Sequence, residues 1–197
     1  FRRLQGIPGD GALALLRGGR EQRLVRDTDY LLGNDPLHER ASITAPLAFA
    51  GFGVTAPELD YDDYAHVDLR GKVAVILSGG PPTFPSEQRA YYSSGLIKTR
   101  NATARGAVGI VTVRTPVDEA RGPWARAVNQ SRLPGMRWLD SDGVPNESYP
   151  QLELTATLSR SGANVLFADA PVPLARVFAD AEAGRPQGFD LPARVRA

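Results

Sequence analysis

An α/β fold is predicted by two buried-strand patterns and the helix pattern between them. Val73-Ala-Val-Ile-Leu77 is a continuous apolar run bounded by Gly71 and by Gly79-Gly80, as in a strand covered on both faces. Val108 to Val113 repeats the pattern. Between them Ser94 to Arg105 reads as a helix, with Leu96, Ile97 and Ala104 toward one side and Gly106 as its stop. Strand, helix, strand at this spacing is a right-handed βαβ crossover between parallel strands.

The remaining elements follow in order. Residues 1–22 are rich in Gly and Arg, with one short apolar patch, Ala12 to Leu16, read as a short helix or strand. Arg23 to Leu32 alternates loosely and reads as a strand. Gly33-Asn34-Asp35-Pro36 is turn chemistry. Ala41 to Ala50 alternates apolar and small residues, the next strand. Gly79 to Glu87 is an irregular loop, because Pro81, Pro82 and Pro85 cannot join a ladder. Thr115 to Pro150 lacks periodicity and is read as a long insertion loop, of a length usually tied to function or disorder. Leu152 to Leu158 alternates strictly, as a strand. Ser161 to Ala168 and Val172 to Ala183 read as short helices, with Ser161 as N-cap and Pro171 near a helix start. Gly188 to Leu191 leads into a last strand.

Composition narrows the function classes. At 197 residues the chain can bury a sizeable core, and 42% hydrophobic with 23% charged residues is ordinary for a globular protein. A net charge of +1 gives no footprint for nucleic acid or an anionic membrane. The absence of cysteine removes disulfides, thiolate nucleophiles and Cys-ligated zinc. No apolar run approaches the roughly 18 residues of a membrane span. The chain starts at Phe1 rather than Met and reads as a piece of a longer precursor.

The search for chemistry yields one zinc-like pattern. Ala65-His66-Val67-Asp68 has the spacing of a His and a bridging carboxylate in a two-zinc site. Such a site needs more ligands, and the other histidine, His38, lies in a turn-rich stretch. His66 also precedes a strand instead of following one, so a solvated loop histidine is the expectation. Glu58, Asp60, Asp62, Asp63 and Asp68 form an acidic cluster whose spacing is not that of an EF-hand, and a loop with one carboxylate capping backbone N–H groups is expected. Gly51-Phe52-Gly53 lacks the third glycine of a dinucleotide fingerprint. Ser93-Ser94-Gly95 is not a nucleophile elbow. No catalytic residue and no metal ligand are assigned. The best candidates for substrate or partner contact lie in the 115–150 stretch: Arg121, Trp124, Arg126, Arg132, Arg137 and Trp138. Aromatic and Arg side chains are enriched at binding hot spots, and Arg forks suit carboxylates. The same tryptophans can equally pin a long loop to the body.

Three stretches together carry a family resemblance. The first is Phe49-Ala-Gly51-Phe52-Gly53, followed by Asp62-Asp63-Tyr64 and by Asp68-Leu69-Arg70-Gly71-Lys72-Val73. The second is a Lys98-bearing helix running into Gly106-Ala107-Val108-Gly109 and a strand. The third is Leu152 to Leu158 with the helix Ser161 to Phe167. This pattern resembles the protease-associated (PA) domain inserted in zinc-dependent aminopeptidases of the glutamate carboxypeptidase and transferrin receptor kind. Phe52 stands where that family usually has Tyr.

The resemblance implies a swivelling β/β/α fold, a small curved or barrel-like mixed sheet with flanking helices. It implies a lead-in at residues 1–40, the PA domain at 41–190 and a return toward a peptidase domain at 191–197. It assigns structural roles to Gly51, Phe52, Gly53, Asp63, Tyr64, Asp68, Gly71, Lys72, Lys98, Gly106, Ala107 and Gly109. It also implies a non-catalytic role over the cleft of a secreted or periplasmic bacterial enzyme. On this reading the chain has no cofactor of its own. Zinc belongs to the parent peptidase domain, the partner in cis, with a peptide substrate or protein partner besides. A stand-alone peptide- or protein-binding module and the PA domain of a subtilisin-like protease are the alternatives.

Overall fold

The computed structural model describes residues 2–4 and 11–197, with side chains from residue 11 onward. The described residues form twelve strands: β1 (Arg2–Leu4), β2 (Ala14–Arg17), β3 (Arg20–Arg23), β4 (Tyr30–Leu32), β5 (Thr44–Phe49), β6 (Thr55–Ala56), β7 (Tyr61–Asp62), β8 (Val73–Leu77), β9 (Gly109–Val113), β10 (Gly135–Arg137), β11 (Leu154–Leu158) and β12 (Phe189–Arg196). Six helices accompany them: α1 (Ser86–Tyr92), α2 (Gly95–Ala104), α3 (Pro116–Arg121), α4 (Trp124–Ser131), α5 (Arg160–Leu166) and α6 (Leu174–Glu182).

Eight of these strands make one curled, half-barrel mixed sheet in the order β3-β2-β12-β5-β8-β9-β11-β4. β5, β8, β9 and β11 run parallel, and β12 and β4 flank them antiparallel. This is the mixed α/β architecture that the sequence predicts. Period-two alternation sorts side chains onto its two faces. Val73, Val75 and Leu77 of β8 enter one core with Leu47, Phe49, Val111 and Val113. Ala74 and Ile76 enter a second with Ala48, Ala50 and Ile110. β8 is therefore apolar throughout because both of its faces are covered. α6 lays Leu174, Val177, Phe178 and Ala181 on the first core, the spacing of one helical stripe. On the second, Ala102 of α2 packs with Leu69 and Ala107.

β12 is central despite Pro192. Its pairing with β5 shifts register between Leu191 and Arg194, so the proline falls at a bulge, where no ladder hydrogen bond is lost. The stretches read as lead-in and return both contribute to this sheet: 11–40 supplies β2, β3 and β4, and residues from Leu191 onward complete β12.

Several element boundaries differ from the sequence reading. Arg23 to Leu32 is not one strand. Asp29 Oδ2 accepts the Val25 N–H at 2.8 Å and Asp27 takes a φ of 63°, so the chain turns and resumes only at β4. Ala14–Arg17 is the first strand of a hairpin through Gly18-Gly19. The N-cap of α5 is Ser159, whose Oγ accepts the Gly162 N–H at 3.2 Å, whereas Ser161 donates to Asp29 at 2.6 Å. α6 starts after Pro173 rather than at Pro171, and α1 begins inside what reads as irregular loop. Residues 115–150 are not a bare loop: α3, α4 and β10 lie within them, and β10 pairs with β1.

The end of α2 sets how helix and sheet meet. The Gly106 N–H donates to the Thr103 carbonyl at 2.9 Å and the Ala107 N–H to the Ala102 carbonyl at 3.1 Å, the paired bonds of a Schellman stop. Gly106 sits at φ 81°, and a Cβ there would lie 3.3 Å from the Arg70 backbone. Gly106→Ala is expected to destabilise the protein by about 1–2 kcal/mol, read as a lower urea midpoint at an unchanged slope.

Candidate functional site

Gly51, Phe52, Gly53, Asp63, Tyr64 and Lys98 of the motif lie buried around the end of β5, while Asp68 and Gly71 are exposed. The chain leaves β5 through Gly51-Phe52-Gly53 and returns past Asp63. Asp63 Oδ2 accepts the N–H groups of Phe52 at 2.9 Å and Val54 at 3.0 Å, while Oδ1 accepts the Tyr61 hydroxyl at 2.7 Å. Gly51 is required twice. Its φ is 50°, and a Cβ would lie 2.1 Å from the Asp63 carboxylate.

Lys98 closes the same region from α2. It is 3% exposed, and its Nζ donates to the carbonyls of Leu77 at 2.7 Å and of Gly79, at the end of β8. The ammonium also lies 5.8 Å from the centre of the Phe52 ring. Tyr64 packs under Arg105, whose guanidinium carbon is 4.2 Å from the ring centre. Gly71 takes φ 68°, and Lys72 Nζ reaches Asp190 of β12 at 2.6 Å. Gly109 admits strand neighbours rather than a helix, since a Cβ would meet Leu154 and Val73 at 3.0 Å. Ala107 is fully buried in the second core.

Burial shapes the charges here. It pushes the Asp63 carboxyl up to about 7, against the lowering effect of Tyr61, the two N–H groups and Lys98. It pushes the Lys98 ammonium down to about 8, against the attraction of Asp63 and Asp118. Asp68 is different: bidentate contact with Arg70 at 2.7–3.1 Å holds its carboxyl down to about 2. His66 is exposed, and His38 Nδ1 pairs with Asp35 at 2.9 Å. Among the described residues no three His, Cys, Asp or Glu side chains are grouped to hold a metal ion.

The six contact candidates separate into two places. Trp124 Nε1 donates to the Asp27 carbonyl at 2.7 Å, and Arg132 pairs with the Asp27 carboxylate at 2.9 Å, so both fasten α4 to the turn before β4. Arg121 and Arg126 are exposed on α3 and α4. Arg137 and Trp138 lie together, lining a groove of about 510 Å³ with Leu96, Met136, Asn146 and Glu147. Arg137 Nη1 donates inward to the carbonyls of Asn146 at 2.7 Å and Glu147 at 2.9 Å. Leu96, Met136 and Glu147 were not legible as site residues. Met136 and Glu147 stand in a stretch without periodicity, and Leu96 reads as an ordinary helix residue.

The fold defines a class, a mixed α/β domain with a half-barrel sheet. No family model matches the sequence, and no curated protein matches it. Solved structures do. An aminopeptidase from Aneurinibacillus sp. strain AM-1 aligns over 98% of this chain at a TM-score of 0.43 and 18% identity. BSAP, a zinc aminopeptidase from Bacillus subtilis, aligns over 57% at a TM-score of 0.31 and 23% identity. The chain spans 34% of the first protein's length and 22% of the second's.

The buried pair makes stability depend on pH. A carboxyl raised in the fold, from 3.8 to about 7, contributes stability fully present below pH 3.8 and lost as pH rises through 7. An ammonium lowered from 10.5 to about 8 contributes stability present above 10.5 and lost as pH falls through 8. The difference in melting temperature between wild type and Asp63→Asn is expected to move in the variant's favour between about pH 4 and 7 and to level off above. A gap independent of pH refutes the assignment.

Proposed function

We propose that this chain is the PA domain of a secreted or periplasmic zinc aminopeptidase, a non-catalytic part that shapes access to the cleft of the parent enzyme. One observation carries the reading. The residues that match the PA pattern are used together as scaffold: Asp63 fixes Gly51-Phe52-Gly53, Lys98 ties α2 to the end of β8, and Gly106 stops that helix. Such use explains a motif that specifies a fold and no reaction. The zinc-like pair is spent otherwise, Asp68 on Arg70 and His66 on solvent. Zinc and the catalytic carboxylate then belong to a peptidase domain elsewhere in the parent polypeptide.

The domain's contribution lies in contacts. The 115–150 stretch holds exposed Leu133, Met136 and Trp138 on a body anchored by Trp124. Met136 and Trp138 lie together with Leu96 in one groove, and grouped exposed apolar side chains are what interaction surfaces present.

The test compares this chain with the parent polypeptide. The chain alone is expected to take up no stoichiometric zinc and to hydrolyse no aminoacyl anilide, whereas the parent does both. Removing residues 11–197 from the parent is expected to raise KM for peptides more than for the small anilide. Zinc-dependent hydrolysis by the isolated chain overturns the reading.

A further inference from the structure

We propose that the open edge of β3 pairs with the same edge of a second copy of this chain, antiparallel, in the register that sets Glu21 of each copy opposite Arg23 of the other. The sheet then runs continuously through both molecules about a two-fold axis at Gln22. The pairing is independent of the parent enzyme.

β3 ends the sheet, with β2 on one side and no described strand on the other. All four of its residues are exposed. The opposite end of the sheet is occupied, since the Tyr30 carbonyl of β4 accepts the Asp27 N–H at 2.9 Å. The hairpin fixes which groups β3 leaves open. The Leu24 N–H donates to the Leu13 carbonyl at 2.9 Å, and by alternation Leu15–Gln22 and Arg17–Arg20 are hydrogen-bonded pairs as well. Glu21 and Arg23 therefore turn their N–H and C=O groups away from β2. A row of such groups is a template for another strand.

The charges select the occupant and the register. Outward groups must meet outward groups, so Glu21 and Arg23 face Glu21 or Arg23 of the second copy. Centring the pair on Glu21 opposes two carboxylates, and centring it on Arg23 opposes two guanidinium groups, both unfavourable. Centring it on Gln22 opposes Glu21 to Arg23 twice, and at each of these positions both backbone hydrogen bonds of an antiparallel pair can form. Within one chain Glu21 already lies between Arg196 at 2.7 Å and Arg23 at 3.3 Å. The Arg23 side chain is 82% exposed and engages Glu21 through Nε, which leaves its two Nη groups for a second carboxylate. Opposite charges then alternate both along and across the joined strands. Gln22 meets Gln22 of the second copy on the other face, and each amide carries a donor and an acceptor. Agreement of charge sign with hydrogen-bond phase is what favours a second copy over an unrelated strand. Edge charges that merely keep strands apart need no such match. The contact is small, below the roughly 1,200 Å² of stable interfaces, so the dimer is weak and reversible.

Sedimentation of the purified chain between about 10 µM and 1 mM tests the pairing. The wild type is expected to shift from monomer to dimer over that range, and less so in added salt. Glu21→Arg and Arg23→Glu are each expected to weaken the dimer at least about tenfold, because each opposes like charges twice. An equimolar mixture of the two variants is expected to dimerise again, since one then offers only cations at these positions and the other only carboxylates. Hydrogen exchange needs no variant: the Glu21 and Arg23 amides are expected to slow as the wild-type concentration rises, while the Gln22 amide, already bonded to β2, is not. A wild type that stays monomeric at about 1 mM overturns the proposal. So does a dimer unweakened in either variant, or a variant mixture that stays monomeric while both variants keep the wild-type melting temperature. Slowed exchange confined to other strands also overturns it, because another surface is then the interface, and this wild-type result decides even where a variant fails to fold.

Discussion

Asp63 takes the N–H groups of Phe52 and Val54 and the hydroxyl of Tyr61 into one carboxylate, and the path from β5 to β8 depends on that grip. Once the turn is fixed, the Gly51 carbonyl is placed to accept the Leu77 N–H at 2.8 Å, and the Ala50 N–H donates to Val75 at 2.9 Å. β8 then lies parallel to β5, and its far end offers the Leu77 and Gly79 carbonyls to Lys98. Helix α2 is positioned in turn, and its Schellman stop returns the chain beside Arg70 to begin β9. Asp63 and Lys98, both displaced from their ordinary pKa values by burial, stand at the two ends of this path.

The scaffold and the surface use their cations differently. Lys98 and Arg137 are both turned onto backbone carbonyls, and Arg114 donates to those of Asp118 and Gly122 at 2.8 and 2.7 Å. These bonds satisfy acceptors at strand and helix ends that no ladder reaches. In the 115–150 stretch Arg137 and Glu147 both line the groove.

What was legible in the sequence follows from range of interaction. β5, β8, β9 and β11 announce themselves because burial on one or both faces writes a period into the residues, whereas α2 was legible by its Gly106 stop and buries Lys98, Ala102 and Thr103 while Leu96 and Ala104 of the face read from sequence are exposed. The motif glycines were legible for the same reason, since a positive φ at Gly51 or Gly106 leaves few alternatives. α3 and α4 were missed because Pro116 and Gly122-Pro123 read as breaks in a loop, whereas Pro116 opens α3 and Pro123 is the N-cap of α4. Thr115-Pro116-Val117-Asp118 did hold a start signal, and Asp118 does accept the Thr115 N–H at 2.9 Å. The groove was legible only through Arg137 and Trp138. Glu147 joins Leu96 only through tertiary folding, and nothing local marks a carboxylate that will lose its water.

The position of β12 also governs the order in which the fold can assemble. The parallel strands and their helices come from neighbouring stretches and can pair as they emerge during synthesis. The β2–β3 hairpin forms early but adjoins the sheet only through β12, where Ala14 pairs with Arg196 across almost the entire chain. Until β12 is in place, the hairpin has no neighbour and the β5 edge stays open. Closure joins residues far apart in sequence, which makes the β2–β12 pairing the contact with the largest loop-closure cost. An uncovered strand edge in the interim is the point at which this chain is exposed to pairing with another molecule.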